Sequence, residues 1–226
     1  MSLLGGHLTG EAGTPPTTAF YRARPQILRS VIITLQQAVA ATVAVVGDRR
    51  ILEPRFTRQL AVDFERVRAA TPGAPRYDIV HQPELPIVDE GGAVVRYRRL
   101  DIRLLFLRQV GTPGDYLGLE CKYLDASDRN TDAEYVDDGV ERIVCGDYSR
   151  NHPWAVMVGL ERRGPLIRSA ANVDARLRER YGQDAGFKST CGVRLENVRE
   201  SEHLQAGGLH RISILHSFFL VTVPTI

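Results

Sequence analysis

Lysine is scarce in this sequence, and its charges nearly cancel. The 226 residues carry 29 basic and 27 acidic side chains, which gives a formal charge of +2. The net charge therefore does not indicate a nucleic-acid partner. Almost every basic residue is arginine, because Lys122 and Lys188 are the two lysines in the chain. A lysine at position 122 is therefore conspicuous.

Cysteine and long uninterrupted apolar runs are also in short supply. The three cysteines, Cys121, Cys145 and Cys191, are far apart and lack CxxC spacing, which argues against a disulfide framework or a zinc site and favours a reducing compartment. The first residues, MSLLGGHLTGEAGTPPTT, do not have the pattern of a signal peptide. The run VIITLQQAVAATVAVV contains two glutamines and is shorter than the roughly 20 residues of a membrane span. We expect a soluble cytoplasmic protein with no membrane partner.

The order of helical and extended patterns predicts one α/β (α+β) domain. Residues 1–24 are rich in Gly, Pro and Thr and are expected to form a flexible arm, followed by a single domain over 25–226. Predicted helices cover 25–46, 52–70, 132–145 and 169–181, the last capped by Ser169. Predicted strands are YDIVHQPELPIV, AVVRYRRLDIRLLFL, DYLGLECKYL, WAVMVGLE, CGVRLENV and HRISILHSFFLVTV. This order indicates a three-layer sandwich, in which helices flank a central mixed sheet.

Three ionisable side chains fall on two neighbouring predicted strands. Glu120 and Lys122 alternate with apolar residues and therefore share one face of their strand. Asp101 projects from the less apolar face of the preceding strand, and the turn GTPGD lies near the middle of the intervening segment. A hairpin folded there brings Asp101 towards Glu120 and Lys122. Two carboxylates this close repel each other unless a cation lies between them, and oxygen ligands favour Mg²⁺, for which Mn²⁺ can substitute.

Asp101 followed by Glu120-Cys121-Lys122 resembles the D…(D/E)xK signature of the PD-(D/E)XK nuclease superfamily, whose restriction-endonuclease-like core has the order αβββαβ. The predicted elements over about 52–161 have that order, with a further helix and strands over 169–223. The resemblance implies that Asp101, Glu120 and the backbone carbonyl of Cys121 are metal ligands and that Lys122 acts on the attacking water. The proline that usually precedes the signature aspartate is replaced by Leu100.

The same resemblance implies further site residues. Many members carry a glutamate on the helix before the strands, and Glu53 is preferred here over Glu65. Tyr135 and Arg142, on the helix after the third strand, would be accessory residues. Each has a plainer interpretation: Glu53 would stabilise a helix N-terminus through the dipole, and the other two would be packing or surface residues. Glu120 and Lys122 would, in the same way, be a solvated pair on an edge strand.

Arginines near the Asp101 strand and after WAVMVGLE are candidates for contacts with a nucleic-acid backbone, namely Arg99, Arg103, Arg162 and Arg163. An ordinary solvated surface or a protein contact explains them equally well. No separate DNA-reading motif is visible, so target choice would come from a homodimer or a companion protein.

The resulting prediction is a Mg²⁺-dependent nuclease that cuts DNA more readily than RNA, as an endonuclease or an exonuclease. We expect it to serve antiviral defence or a mobile element. The alternative is a catalytically silent subunit of the same fold that binds nucleic acid or supports a larger assembly.

Overall fold

The computed structural model describes residues 25–46, 52–88, 94–106, 116–150, 152–206 and 210–221, with the backbone alone at 86–88 and 94–98. The predicted N-terminal arm and the predicted GTPGD turn lie outside these residues. Two helices come first, α1 (Pro25–Val46) and α2 (Glu53–Ala70). They are followed by β1 (Tyr77–His81), β2 (Glu84–Val88), β3 (Val94–Arg99), β4 (Ile102–Phe106) and β5 (Leu117–Leu124).

The second half of the described chain alternates helices and strands. A continuous helical segment consists of α3 (Arg129–Glu134), a π-helical turn (Tyr135–Val140) and α4 (Glu141–Val144). It is followed by β6 (Trp154–Glu161), α5 (Leu166–Tyr181), a 3₁₀ turn (Gln183–Ala185), β7 (Val198–Leu204) and β8 (Arg211–Leu220).

One six-stranded mixed sheet organises the fold, with the strand order β1-β4-β5-β6-β8-β7. Strands β5, β6 and β8 run parallel, whereas β1, β4 and β7 pair antiparallel with their neighbours. Parallel strands require helical crossovers, which place helices on the faces of the sheet and bury the strands between them. Every residue of β6 after Trp154 is accordingly buried. The predicted α/β class with a mixed sheet flanked by helices is confirmed.

Two apolar clusters occupy the two faces of the sheet. Helices α1 and α2 pack on one face, where Leu35 and Phe64 meet Leu119 and Val158. The π-helical turn, α4 and α5 pack on the other face, which contains Met157. Alternate residues of β5 point to opposite faces, as a period of two requires. Cys121 therefore lies fully buried in the first cluster, as the sequence predicted.

Helix α1 alone, among the described helices, is long and apolar enough by length and composition to cross a membrane. A core helix of a soluble protein passes the same test. Several of its side chains, including Leu28, Val31 and Ile32, belong to the first apolar cluster.

Strands β2 and β3 form a separate two-stranded hairpin inserted between β1 and β4. The sequence predicted two long extended runs, YDIVHQPELPIV and AVVRYRRLDIRLLFL, but each of them breaks into two strands. In each run, one strand belongs to the main sheet and the other to the hairpin. Gln82 has φ 45°, a left-handed value that ends β1, and its N–H donates to the Asp101 carbonyl at 2.8 Å. The base of the hairpin is therefore bonded to the residue that begins the candidate site.

Two sequence predictions in the C-terminal part are wrong. CGVRLENV is not a strand, because Arg194 and Asn197 have φ values of 48° and 57°, which an extended strand does not allow. The last helix begins at Leu166, after Pro165, and Ser169 lies inside it. The Ser169 hydroxyl does not cap the helix but donates to the buried carboxylate of Glu161.

Candidate active site

The pairing of β4 with β5 brings the predicted acidic residues together. Ile102 pairs with Leu119 in the antiparallel register, so the next position places Asp101 opposite Glu120. The Oδ2 atom of Asp101 accepts a hydrogen bond from the Cys121 backbone N–H at 2.8 Å, which fixes the carboxylate against β5. The structure therefore brings the two carboxylates together, as the sequence predicted, with Asp101 just before β4 and Glu120 within β5.

Lys122 lies at the centre of this site and contacts three carboxylates. Its Nζ lies 3.2 Å from Glu53 Oε1, 3.7 Å from Glu120 Oε1 and 3.4 Å from Asp138 Oδ2. Burial alone would lower the pKa of Lys122, but the surrounding carboxylates outweigh burial and raise it. The ammonium group therefore stays charged at neutral pH and is a hydrogen-bond donor rather than a base.

Glu53 enters the site from the first turn of α2. Its Oε1 accepts from Lys122, and its Oε2 accepts from the Tyr123 backbone N–H at 3.3 Å. Glu65, the competing glutamate on the same helix, forms a surface ion pair with Arg68 instead. The structure therefore brings Glu53 and not Glu65 to the acidic pair.

Glu120 is the most deeply buried carboxylate of the site, with 2% of its side chain exposed. Burial first, and then the Asp101 carboxylate, raise the pKa of Glu120 from 4.5 to about 8. Burial also raises the pKa of Asp101 from 3.8 to about 6, against the opposing effect of the Cys121 N–H. The Oε1 atom of Glu120 has cationic partners, whereas Oε2 is buried and has no hydrogen-bond partner among the described residues. A buried acceptor without a donor costs stability and requires an explanation.

The π-helical turn and α4 supply one further ionic group each, Asp138 and Arg142. Arg142 lies 3.1 Å from Glu120 Oε1 and 2.5 Å from Asp138 Oδ1, so the sequence placed Arg142 near the site correctly but missed Asp138. The spacing of Asp138 and Arg142, four residues apart on a helix, was the available signal. Gly139 lets the π-helical turn lie close to β5 and β6, because a Cβ at this position would be 2.5 Å from Met157 Cε and 3.4 Å from Lys122 Cγ.

Tyr135 is not brought into the site. Its side chain is fully buried, and its hydroxyl lies 3.0 Å from His216 Nδ1. Tyr135 therefore belongs to the second apolar cluster, which contains Met157. Tyr148, which the sequence did not indicate, contributes instead. Its hydroxyl accepts from Arg142 Nη1 at 3.4 Å and donates to the Arg99 carbonyl at 2.7 Å.

The four arginines predicted to meet a nucleic-acid backbone have different surroundings. Arg99 pairs with Glu84 at 3.2 Å and is 60% exposed. Arg103 lies over the ring of Tyr116 with its Nε buried. The exposed Arg163 and the half-buried Arg162 both follow β6 on the chain, beside the carboxyl end of β5.

The donor set fits a hard divalent cation at Asp101 and Glu120. Two facing carboxylates, one with a buried oxygen that lacks a donor, provide the oxygen ligands that Mg²⁺ prefers. Burial is the largest cause of the raised pKa of each carboxyl group, and a bound cation would favour their ionised forms. Within the described ranges, no group of three or more His, Cys, Asp and Glu side chains is arranged so that it could hold a metal ion. Any such ion would therefore depend on the pair and on backbone or water oxygens.

Comparisons of the chain with models of protein families, with curated proteins and with solved structures find no match.

Proposed function

We propose that this protein is a divalent-metal-dependent nuclease with a restriction-endonuclease-like fold of the PD-(D/E)XK type. The observation that carries the proposal is the buried Glu120, whose Oε2 lacks a partner among the described residues, opposite Asp101 and beside the Lys122 ammonium. Burying a carboxylate without full compensation is costly. Such an arrangement is typical of a site whose chemistry requires it.

The order of elements supports the same proposal. Helix α2, strands β1, β4 and β5, the helical segment from α3 to α4, and strand β6 follow the αβββαβ order once the β2–β3 hairpin is regarded as an insertion. Asp101 precedes the second strand of this series, and Glu120 and Lys122 lie on the third. In the PD-(D/E)XK superfamily, which the sequence resembles, the signature aspartate and the (D/E)xK pair lie on the second and third strands.

The residues divide the chemistry between them. Asp101, Glu120 and the Cys121 carbonyl would hold Mg²⁺ or Mn²⁺, which would supply a water of lowered pKa and charge to offset the phosphate. Glu53 would hold Lys122 beside them. Lys122, held protonated by its carboxylate neighbours, donates to the attacking water or to a phosphate oxygen and stabilises the negative charge that develops. Arg142 holds Glu120 and Asp138 in place through its two terminal nitrogens.

A second function has one observation in its favour. Cations already pair with Glu53, Glu120 and Asp138, so the ion pairs partly neutralise the acidic site without a metal. A subunit that binds nucleic acid or supports an assembly, and does not cut, would also retain this closed network.

Cleavage assays with defined substrates separate the two. Labelled single-stranded DNA, duplex DNA and RNA are incubated with the purified protein in Mg²⁺, in Mn²⁺ and in EDTA. We expect metal-dependent cleavage that falls at least about a hundredfold in Asp101→Ala and in Lys122→Ala. The control is Asp78→Ala, which removes an exposed carboxylate from β1. Binding without cleavage of any substrate would favour the subunit.

A further inference from the structure

A small cavity at the carboxyl ends of β5 and β6 adjoins the candidate active site. It has a volume of about 240 Å³ and is lined by Tyr123, Leu124, Asp125, Asp128, Thr131, Arg162 and Arg163. The backbone N–H of Tyr123 donates to Glu53, the same carboxylate that contacts Lys122. Glu53 therefore links the cavity to the candidate site, although the side chains of Tyr123 and Lys122 point to opposite faces of β5. Ligands of α/β sheets bind outside the carboxyl ends of parallel strands.

One wall of this cavity is formed by Arg162 and Tyr123, whose side chains lie against each other. The guanidinium carbon of Arg162 lies 4.6 Å from the centre of the Tyr123 ring, close enough for a cation–π contact. Phe56 of α2 packs edge-on against the same tyrosine, with the two ring centres 6.3 Å apart. The Arg162 backbone N–H is fixed to the Leu124 carbonyl at 3.0 Å. The guanidinium plane is therefore held on a rigid support.

Two aspartates and two arginines line the cavity, so its charges nearly cancel and favour a neutral base over a phosphate. Asp125 and Asp128 line it, and Ser127, with the nearby arginines, lowers the pKa of Asp125. This carboxylate is therefore ionised at neutral pH and repels an anion. It would accept hydrogen bonds from an exocyclic amino group. The phosphate-binding charge lies at the rim, where Arg163 is 68% exposed and 3.6 Å from Asp125.

We infer that this cavity is a nucleobase subsite, in which an unpaired base stacks on the Arg162–Tyr123 pair and donates an amino hydrogen to Asp125. Arginine planes and aromatic rings are the surfaces on which unpaired bases stack. A base inside a duplex cannot enter such a cavity without leaving its partner. The inference rests on the proposed nuclease function and gives it a substrate class: single-stranded or frayed nucleic acid, with cytosine or adenine preferred over thymine or uracil at this position.

Binding measurements without cleavage test the subsite. Fluorescence anisotropy in EDTA compares labelled dC12, dT12 and a blunt duplex, because cytosine and thymine differ in the amino group that Asp125 would accept. We expect dC12 to bind more tightly than dT12 and than the duplex. The Asp125→Asn variant should reduce the difference between the two oligonucleotides.

Arg162→Lys distinguishes stacking from charge. Lysine keeps the positive charge but lacks the planar group, so dC12 affinity should fall about tenfold while its salt dependence is unchanged. Arg168→Lys, at an exposed position of α5, is the matched control and should bind as wild type. Circular dichroism confirms that each variant is folded.

The inference is overturned if wild type binds dT12 or the duplex as tightly as dC12, if it binds none of them, or if Arg162→Lys binds dC12 like wild type. Because no cleavage is measured, these results are separate from the nuclease proposal. An inactive protein with the expected binding pattern would overturn the nuclease alone, and an active protein with an unaffected Arg162→Lys variant would overturn the subsite alone.

Discussion

Replacing Glu120 by glutamine should stabilise the metal-free protein while abolishing cleavage. The carboxylate is 2% exposed, and burial raises its pKa from 4.5 to about 8. At 1.36 kcal/mol for each pKa unit, ionised Glu120 destabilises the fold by at most roughly 5 kcal/mol. Glutamine has nearly the same shape and removes that cost.

The gain will be smaller than this limit, because the ion pairs of Glu120 are lost with its charge. Arg142 keeps Asp138 at 2.5 Å, and Lys122 keeps Glu53 at 3.2 Å, so neither cation is left without a carboxylate. Asp101 titrates together with Glu120, which spreads the effect over both groups. We expect a net gain of about 1–2 kcal/mol at pH 8, or about 2–8 °C in Tm for a domain of this size.

The sign of the pH dependence follows from the raised pKa. A carboxyl group that binds its proton more tightly in the folded state contributes stability below pH 4.5 and loses it as the pH rises through about 8. In EDTA, the Tm of the wild type should fall between pH 5 and pH 8 more steeply than that of Glu120→Gln. Glu65→Gln, on the surface of α2, is the control.

Magnesium should reverse this order. A ligand that binds only the folded state raises Tm in proportion to the logarithm of its concentration, so Mg²⁺ should stabilise wild type and leave Glu120→Gln unchanged. Thermal unfolding followed by circular dichroism measures all of these quantities. A lower Tm for Glu120→Gln at pH 8 in EDTA, or equal pH slopes, would refute the reasoning that burial outweighs the ion pairs.

Three further predictions concern the surroundings of the site. Glu53→Gln should lower metal-dependent cleavage about 10- to 100-fold, whereas Glu65→Gln should leave the rate unchanged; equal rates would remove Glu53 from the site. Gly159→Ala should lower the free energy of unfolding by about 1–3 kcal/mol, because its Cβ would lie 2.7 Å from buried side-chain carbons on both sides; urea denaturation measures this, and an unchanged midpoint would contradict it. Tyr135→Phe should cost about 1–3 kcal/mol of stability by leaving a buried histidine nitrogen unbonded, with the cleavage rate below the melting transition unaffected; a slower rate in folded enzyme would return this residue to the site.

Local patterns predicted the parts of the fold that depend on periodicity. The bounds of α1 and β6 and the convergence of Asp101, Glu120 and Lys122 all follow from alternation and from the folding of one hairpin. The inserted β2–β3 hairpin could not be predicted in this way, because its strands are as extended as those of the main sheet. What separates them is the left-handed backbone at Gln82, which glutamine does not signal.

The chemistry of the site was also predictable only where it depends on local sequence patterns. The residue types identified the acidic pair. The four-residue spacing of Asp138 and Arg142 indicates an ion pair on one side of a helix, but which side faces Glu120 depends on the π turn, and no local pattern predicts that turn. The charge of Lys122 also depends on tertiary contacts. Its three carboxylate partners come from α2, β5 and the π turn, and only the folded chain brings them together.

The π turn over Tyr135–Val140 has a consequence for variation in this chain. A π turn contains one residue more than the α-helix that it interrupts, and each residue of a helix rotates the next by about 100°. Because a π turn is wider, its six residues rotate the chain about as far as five residues of an α-helix do. If the same six residues wound as a regular α-helix, every later side chain of the segment would swing around the helix axis by about 100°. Arg142 would then face away from Glu120. The wide turn is therefore what directs Arg142 towards Glu120, and substitutions that favour regular α-helical hydrogen bonding over these six residues should weaken the site.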